Sequence, residues 1–207
     1  MDNEKVAMIN EVVRKLKPIK YEFVSSYEEG YLGKKIYNVY YSDGTIKKCE
    51  QITKNGNNGD AVVIIPLTDD NKFVMIVEAR PNIPGGVAVE FPAGMVDEGE
   101  NPLGAAKREL LEETGYSVED IKELEWHYQD QGWSKAVIRT YVATGCKRVG
   151  KQDLDIEEKI EPIEMTYEEI LELIKNDELN DANSKIAFMN YSLKMKGILW
   201  WIRNLDM

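Results

Sequence analysis

Apolar residues along the chain alternate between two spacings, and the changes from one to the other mark out its elements. Val6, Ile9, Val13 and Leu16 recur at helical spacing until Pro18 ends the pattern, which predicts a short amphipathic helix. From 21 to 53 the chain is rich in Tyr, Val and Ile around a Ser42-Asp43-Gly44 turn, the pattern of a small antiparallel hairpin lobe. The polar run 54–59 reads as a linker. Strand-like apolar runs follow at 61–67 and 73–78, on either side of Asp69-Asp70-Asn71, and again at 87–91.

A helix is predicted over 102–114, with Asn101 placed to cap it, Pro102 in its first turn and Gly115 just past its end. More strands are expected at 123–128, 136–143 and 160–165. Thr166 and Glu169 have capping-box spacing ahead of a helix running to about Lys175, and an apolar-rich helix is expected over 184–202. This order predicts an α+β or sandwiched α/β/α domain rather than a regular doubly wound sheet.

Composition narrows the partners. A chain of 207 residues that is 43% apolar can bury one good core with a small accessory lobe. Its net charge of −11 argues against nucleic acid or an anionic membrane as partner, since either calls for a basic patch. A phosphate-bearing ligand would need metal ions and a few well-placed cations to reverse the field locally. Cys49 and Cys146 are the only cysteines and His127 the only histidine, so neither a disulfide scaffold nor a zinc site is expected, and a reducing cytoplasm fits best. No apolar run reaches signal-peptide or transmembrane length.

The helix over 102–114 holds the candidate chemistry. On a helical wheel Leu103, Ala106, Leu110 and Thr114 form one stripe, while Ala105, Glu109, Glu112 and Glu113 share the neighbouring face. Glu109 and Glu113 are a like-charge i,i+4 pair near the end where the helix dipole disfavours anions. Hard divalent cations would compensate, because magnesium takes carboxylate oxygens together with phosphate oxygens. Arg108 offers a further partner, expected for Glu100. An isolated acidic helix is usually a solvated face.

The residues around it overturn that bland reading. Gly94, Glu100, Arg108, Glu109, Leu110, Glu112, Glu113 and Gly115 fit the pattern G-x5-E-x7-R-E-U-x-E-E-x-G-U, with U bulky and apolar. The segment therefore resembles the Nudix box, and a chance match is on the order of one in a billion windows. Tyr116 departs from the usual aliphatic residue at the last position. The resemblance implies a Nudix fold, an α/β/α sandwich with a mixed sheet, over 59–207 as the catalytic domain. Residues 1–58 would form an N-terminal helix and antiparallel β lobe that serves dimerisation. It further implies Glu109 and Glu113 as principal magnesium ligands, with Glu112 holding an additional metal and the Ala93 carbonyl completing the set. Manganese is expected to substitute. Glu100 and Arg108 would orient these ligands, and metals on the phosphates would activate water with no protein nucleophile.

The flanks are similar to the ADP-ribose and nucleoside-diphosphate-sugar pyrophosphatases of that family. Arg80-Pro81 and the run Val89-Glu90-Phe91-Pro92-Ala93-Gly94 carry this likeness, which implies that Arg80 and Glu90 hold substrate. The segment 130–134, Asp-Gln-Gly-Trp-Ser, resembles a substrate-selecting loop and points to Gly132 and Trp133. Gln131 stands where proline is usual, and Lys135-Ala136 offers no carboxylate, which leaves the general base open among Asp153, Asp155, Glu157 and Glu158. Tyr31, Tyr37 and Tyr40 are candidates for stacking on a base across a homodimer. The implied activity is magnesium-dependent cleavage of ADP-ribose or a related nucleoside-diphosphate sugar. The alternatives are a module that binds ADP-ribose without cutting it, and hydrolysis of a dinucleotide or triphosphate.

Overall fold

The computed structural model describes residues 3–195. The chain divides into two compact units: one joins the segment up to Gly59 with Asp130–Lys135, and the other comprises Asp60–Gln129 and the chain from Ala136 onward.

The first unit begins with α1 (Asn3–Leu16), which has basic residues in its last turn and buries none of its side chains. Three antiparallel strands follow, β1 (Lys20–Glu29), β2 (Leu32–Tyr40) and β3 (Ile46–Lys54), where the tyrosine-rich pattern had suggested a hairpin. Gly30, at φ 64°, makes the first reversal, a left-handed position that a residue with a Cβ disfavours. The polar run 54–59 folds back on itself, with Lys54 bridged to Asn57, and is not an extended linker. Residues 130–135 pack on this sheet through the Ile52 N–H, which donates to the Trp133 carbonyl at 2.7 Å.

The second unit is built on β4 (Ala61–Thr68), β5 (Phe73–Ala79), β6 (Val87–Glu90), β7 (Ala93–Met95), β8 (Tyr116–Ser117), β9 (Asp120–Tyr128), β10 (Val137–Arg148) and β11 (Ile160–Met165). The sheet is mixed: β4 and β10 pair in parallel and the remaining pairs are antiparallel. Helices α2 (Pro102–Thr114), α3 (Tyr167–Lys175) and α4 (Ala182–Met195) complete the unit.

Strand alternation divides β4 between two cores. Val63, Ile65 and Leu67 face α3 and α4 together with Phe73 and Met75, while Val62 and Ile64 face α2 together with Val74. Phe73 is the hub of the first core, with the rings of Phe91, Tyr167, Phe188 and Tyr191 at centroid distances of 5.4–6.4 Å. This is the expected α/β/α sandwich.

Several predicted bounds shift. The third strand stops at Glu90, because Phe91 gives its N–H to the Ser184 hydroxyl instead of the ladder. β10 runs on to Arg148, carried past a bulge at Gly145. The short strands β7 and β8 were not anticipated, since three and two residues carry no periodicity. The last helix begins at Ala182, and the predicted stretch 196–202 lies outside the described residues. Among the described residues no helix is long and apolar enough to cross a membrane.

Candidate active site

α2 forms where its end signals place it. The Asn101 side chain accepts from the Leu103 N–H at 2.9 Å, Pro102 needs no hydrogen bond in the first turn, and the Gly115 N–H closes on Leu111 O. Gly115 is doubly constrained: it lies at φ 73°, and a Cβ there would come 2.6 Å from Gly150 O. The helix buries Ala105, Ala106, Leu110 and Thr114. Leu103, expected in the apolar stripe, is exposed instead, and Ala105 takes the inward position in the first part of the helix.

The loop before the helix is anchored at both ends. Phe91 is buried in the aromatic cluster, the Ile64 N–H donates to Pro92 O at 2.8 Å, and β7 pairs with β4 through Ala93 opposite Val63 and Gly94 opposite Val62. Gly94 leaves the space that the Glu109 carboxylate fills, since a Cβ on it would overlap that carboxylate. Arg108 then ties loop to helix. Its Nε and Nη2 donate to the two Glu100 oxygens at 3.0 and 2.9 Å, Nη2 also donates to Met95 O, and Nη1 donates to Glu109 at 2.7 Å and Glu112 at 3.0 Å. The expected Arg108–Glu100 pair is present, and its hydrogen bonds hold the Glu100 carboxyl below its usual pKa.

Glu113 is 4% exposed. It accepts the Ala93 N–H at 2.9 Å, so the residue whose carbonyl was expected beside a metal also holds Glu113 through its nitrogen. Burial pushes the Glu113 carboxyl up to about 9; the Ala93 bond opposes this and the charges of Glu109, Glu78 and Glu158 add to it. Glu109 is shifted upward as well, by burial first, with Arg108 opposing. Glu112 is the most open of the three.

On the same face of the sheet β5 and β6 contribute a second cluster. Their register sets Ile76 opposite Glu90 and Glu78 opposite Ala88, and alternation from Val74 directs Glu78 and Glu90 toward the α2 side. Arg80 grips Glu90 in a bidentate pair, Nε to Oε1 at 3.0 Å and Nη2 to Oε2 at 2.7 Å. Its Nη2 also lies 2.8 Å from Glu78 Oε2, out of line for a hydrogen bond. Glu113 is among the charges that raise the Arg80 pKa, which places the two clusters within electrostatic reach of each other. Sequence reasoning missed Glu78. The available signal was a carboxylate at the inward position that continues Val74 and Ile76.

The loop between β10 and β11 closes on the end of α2. Gln152 donates to Glu113 O at 2.6 Å and to Ile160 O at 3.0 Å, and the Asp153 N–H donates to Glu112 O. Of the four candidates for the general base, Glu158 is the one whose charge raises the carboxyls of Glu78, Glu109 and Glu113. It accepts the Asp155 N–H at 3.0 Å. Asp153 is held through its backbone, and Asp155 and Glu157 lie in the exposed part of the loop.

Gly132 and Trp133 sit in the first unit, in a pocket of about 210 Å³ shared with Tyr21, Tyr37, Cys49 and Lys135. His127 is structural: its ring bridges Glu125 and Asn183, both at 3.3 Å, joining β9 to α4. Cys146 is buried, and burial pushes its thiol up to about 11, away from reactivity.

The donor set suits a hard divalent cation, because it consists of carboxylates crowded over a glycine that leaves them room. Among the described residues no three side chains already converge as ligands, and Arg108 Nη1 is bonded to both Glu109 and Glu112.

Comparison with known proteins agrees with this geometry. A NUDIX domain model matches residues 57–187. The chain is 36% identical over 135 residues to the methanol dehydrogenase activator of Bacillus methanolicus, covering 65% of this chain and 72% of that one. It is 30% identical over 166 residues to the ADP-ribose pyrophosphatase of Bacillus subtilis strain 168, covering 77% of this chain and 87% of that one. Its fold matches the crystal structure of an ADP compounds hydrolase with a TM-score of 0.71 at 21% identity, over 87% of this chain and 97% of that one. With the box residues gathered on one loop and one helix, and the match spanning most of the chain, the protein belongs to the Nudix family.

Proposed function

We propose that the protein hydrolyses the diphosphate bond of ADP-ribose or a closely related nucleoside-diphosphate sugar, yielding a nucleoside monophosphate and a sugar phosphate. The observation that carries this reading is the pair of inward carboxylates, Glu109 and Glu113, packed against the Ala93–Gly94 turn, with Glu113 within electrostatic reach of the Arg80–Glu90 clamp. The likeness to an ADP-ribose pyrophosphatase supports the substrate class.

Nudix hydrolases are generally dependent on divalent metals, and magnesium is the ion proposed here, with manganese as substitute. Glu109, Glu112, Glu113 and the Ala93 carbonyl would hold it. Such an ion neutralises charge on the diphosphate and makes a water more acidic. The chain's own residues do the rest. Glu100 and Arg108 keep the carboxylates oriented, Arg80 and Glu90 bind substrate, and Glu158 takes the proton of the attacking water. Gly132 and Trp133 are proposed to contact substrate on the family resemblance.

Purified protein with ADP-ribose and magnesium is expected to release AMP. Absence of product across ADP-ribose, GDP-mannose and dinucleotides would sink the reading, and activity confined to triphosphates would move it to another branch of the family. A second reading, in which the chain acts to activate another enzyme, is favoured by the likeness to the methanol dehydrogenase activator. It requires that adding the chain to a methanol dehydrogenase raises that enzyme's turnover.

Residues 1–58 are proposed as a dimerisation lobe beside a catalytic domain over 59–207, in a cytoplasmic homodimer. The exposed Phe23, Val24 and Tyr27, and an α1 with no buried side chain, support this. Sedimentation at micromolar concentration should then give twice the chain mass; a monomer would exclude it.

A further inference from the structure

Glu78 lies outside the family's box, and the roles assigned above leave it unexplained. It occupies the inward position that Val74 and Ile76 precede on β5, and its side chain is 12% exposed. A carboxylate there costs more than an apolar residue of similar size would, unless a cation repays its desolvation. Its Oε2 is buried and makes no hydrogen bond. The one cation in contact with it among the described residues is Arg80, whose Nη2 lies at 2.8 Å.

Arg80 itself is 42% exposed and is bonded along one edge only. Glu90 takes Nε and Nη2, whereas Nη1 has no hydrogen-bond partner among the described residues. One bidentate pair leaves a guanidinium free to swing with its carboxylate as a unit. A second carboxylate on the neighbouring strand removes that freedom, because Glu78 and Glu90 are anchored by different backbones, β5 and β6, in fixed register.

We propose that Glu78 is a positioning residue for Arg80: held by Glu90 along one edge and drawn from the neighbouring strand by Glu78, the guanidinium presents its unbonded Nη1 edge to the substrate. The inference rests on the reading of Arg80 as substrate-binding. It makes Glu78 a determinant of substrate affinity and not of the chemical step, since fixing the guanidinium in advance lowers the ordering cost of binding.

The test compares Glu78→Leu, Glu78→Gln, Arg80→Ala and the double variant Glu78→Leu/Arg80→Ala by steady-state kinetics on ADP-ribose with magnesium. Glu78→Leu is expected to raise KM about tenfold, the scale of one charge-assisted contact, with kcat changed by less than about threefold. Glu78→Gln keeps the shape but removes the charge, and because Glu78 makes no hydrogen bond to the guanidinium it is expected to show most of the same loss. In the Arg80→Ala background Glu78→Leu should cost nothing further. A wild-type KM in Glu78→Leu, a tightened KM, or an equal loss with Arg80 absent would each overturn the proposal.

A measurement on the ligand-free protein separates this inference from the substrate reading. Exchange of the Arg80 Nε proton, followed by NMR, should speed up in both Glu78→Leu and Glu78→Gln. Unchanged exchange in Glu78→Leu refutes the positioning role whatever the substrate is. Failure of the wild type to cut ADP-ribose refutes only the substrate.

Discussion

The Glu113 carboxylate takes a single hydrogen bond among the described residues, from the Ala93 N–H, in a site where burial and three neighbouring carboxylates all oppose its charge. A bound divalent ion would remove that opposition, so Glu113→Gln should lower kcat on the order of a hundredfold or more while leaving the fold intact. Circular dichroism beside steady-state kinetics checks both halves; near-normal turnover would show that Glu113 is not a ligand. Gly94 makes a complementary case. Gly94→Ala puts a methyl group where the Glu109 carboxylate lies, and the end of a side chain can move aside at small cost to stability. Activity should therefore fall on the order of tenfold or more, with a stability change within about 1 kcal/mol. A variant that unfolds would locate the strain in the backbone instead.

At the scale of elements, α2 is held by its ends. Asn101→Ala removes the cap of the Leu103 N–H and is expected to cost about 1 kcal/mol in urea unfolding. Gly115→Ala forces a Cβ into a left-handed position and against Gly150 O, so it should cost about 2 kcal/mol or more. These end signals were legible because capping is local chemistry, and the capping box of Thr166 and Glu169 was equally plain. The short strands β7 and β8 were not, since their pairing with β4 and β10 is made by partners distant in the chain. The third strand of the N-terminal lobe was hidden for a related reason: β1 and β2 meet through a Gly30 turn inside a continuous polar and aromatic run.

At the scale of the whole molecule, the buried carboxylates couple stability to pH. Burial raises the folded-state pKa of Glu113 to about 9 and that of Glu78 to about 7, both above the ordinary carboxylate value of 4.5. Their favourable contribution is complete below pH 4.5 and is lost as pH rises through those values. Metal-free protein in EDTA should therefore melt at progressively lower temperature from pH 5 to 9, Glu113→Gln should flatten that slope, and magnesium should restore stability at the alkaline end. A melting temperature that rises with pH in EDTA would contradict the burial of these groups as charges.

The sequence by itself determined how the charged groups on the helix are arranged: the spacing of Gly94, Glu100, Arg108, Glu109, Glu112 and Glu113 is set along one loop and one helix, where sequence distance and spatial distance are nearly the same thing. It also determined the sandwich, because two-fold and helical periodicities succeed one another cleanly from Ala61 onward. Only the tertiary structure decided which carboxylates from elsewhere join that helix. Glu78 and Glu90 come from neighbouring strands in register, and Glu158 comes from a loop that closes on the helix end. It likewise decided that Glu158, among four acidic residues in one loop, is the one whose charge bears on the carboxyls of Glu78, Glu109 and Glu113. Convergence of this kind depends on strand register and loop closure, which bring together residues whose separation along the chain carries no information about their separation in space.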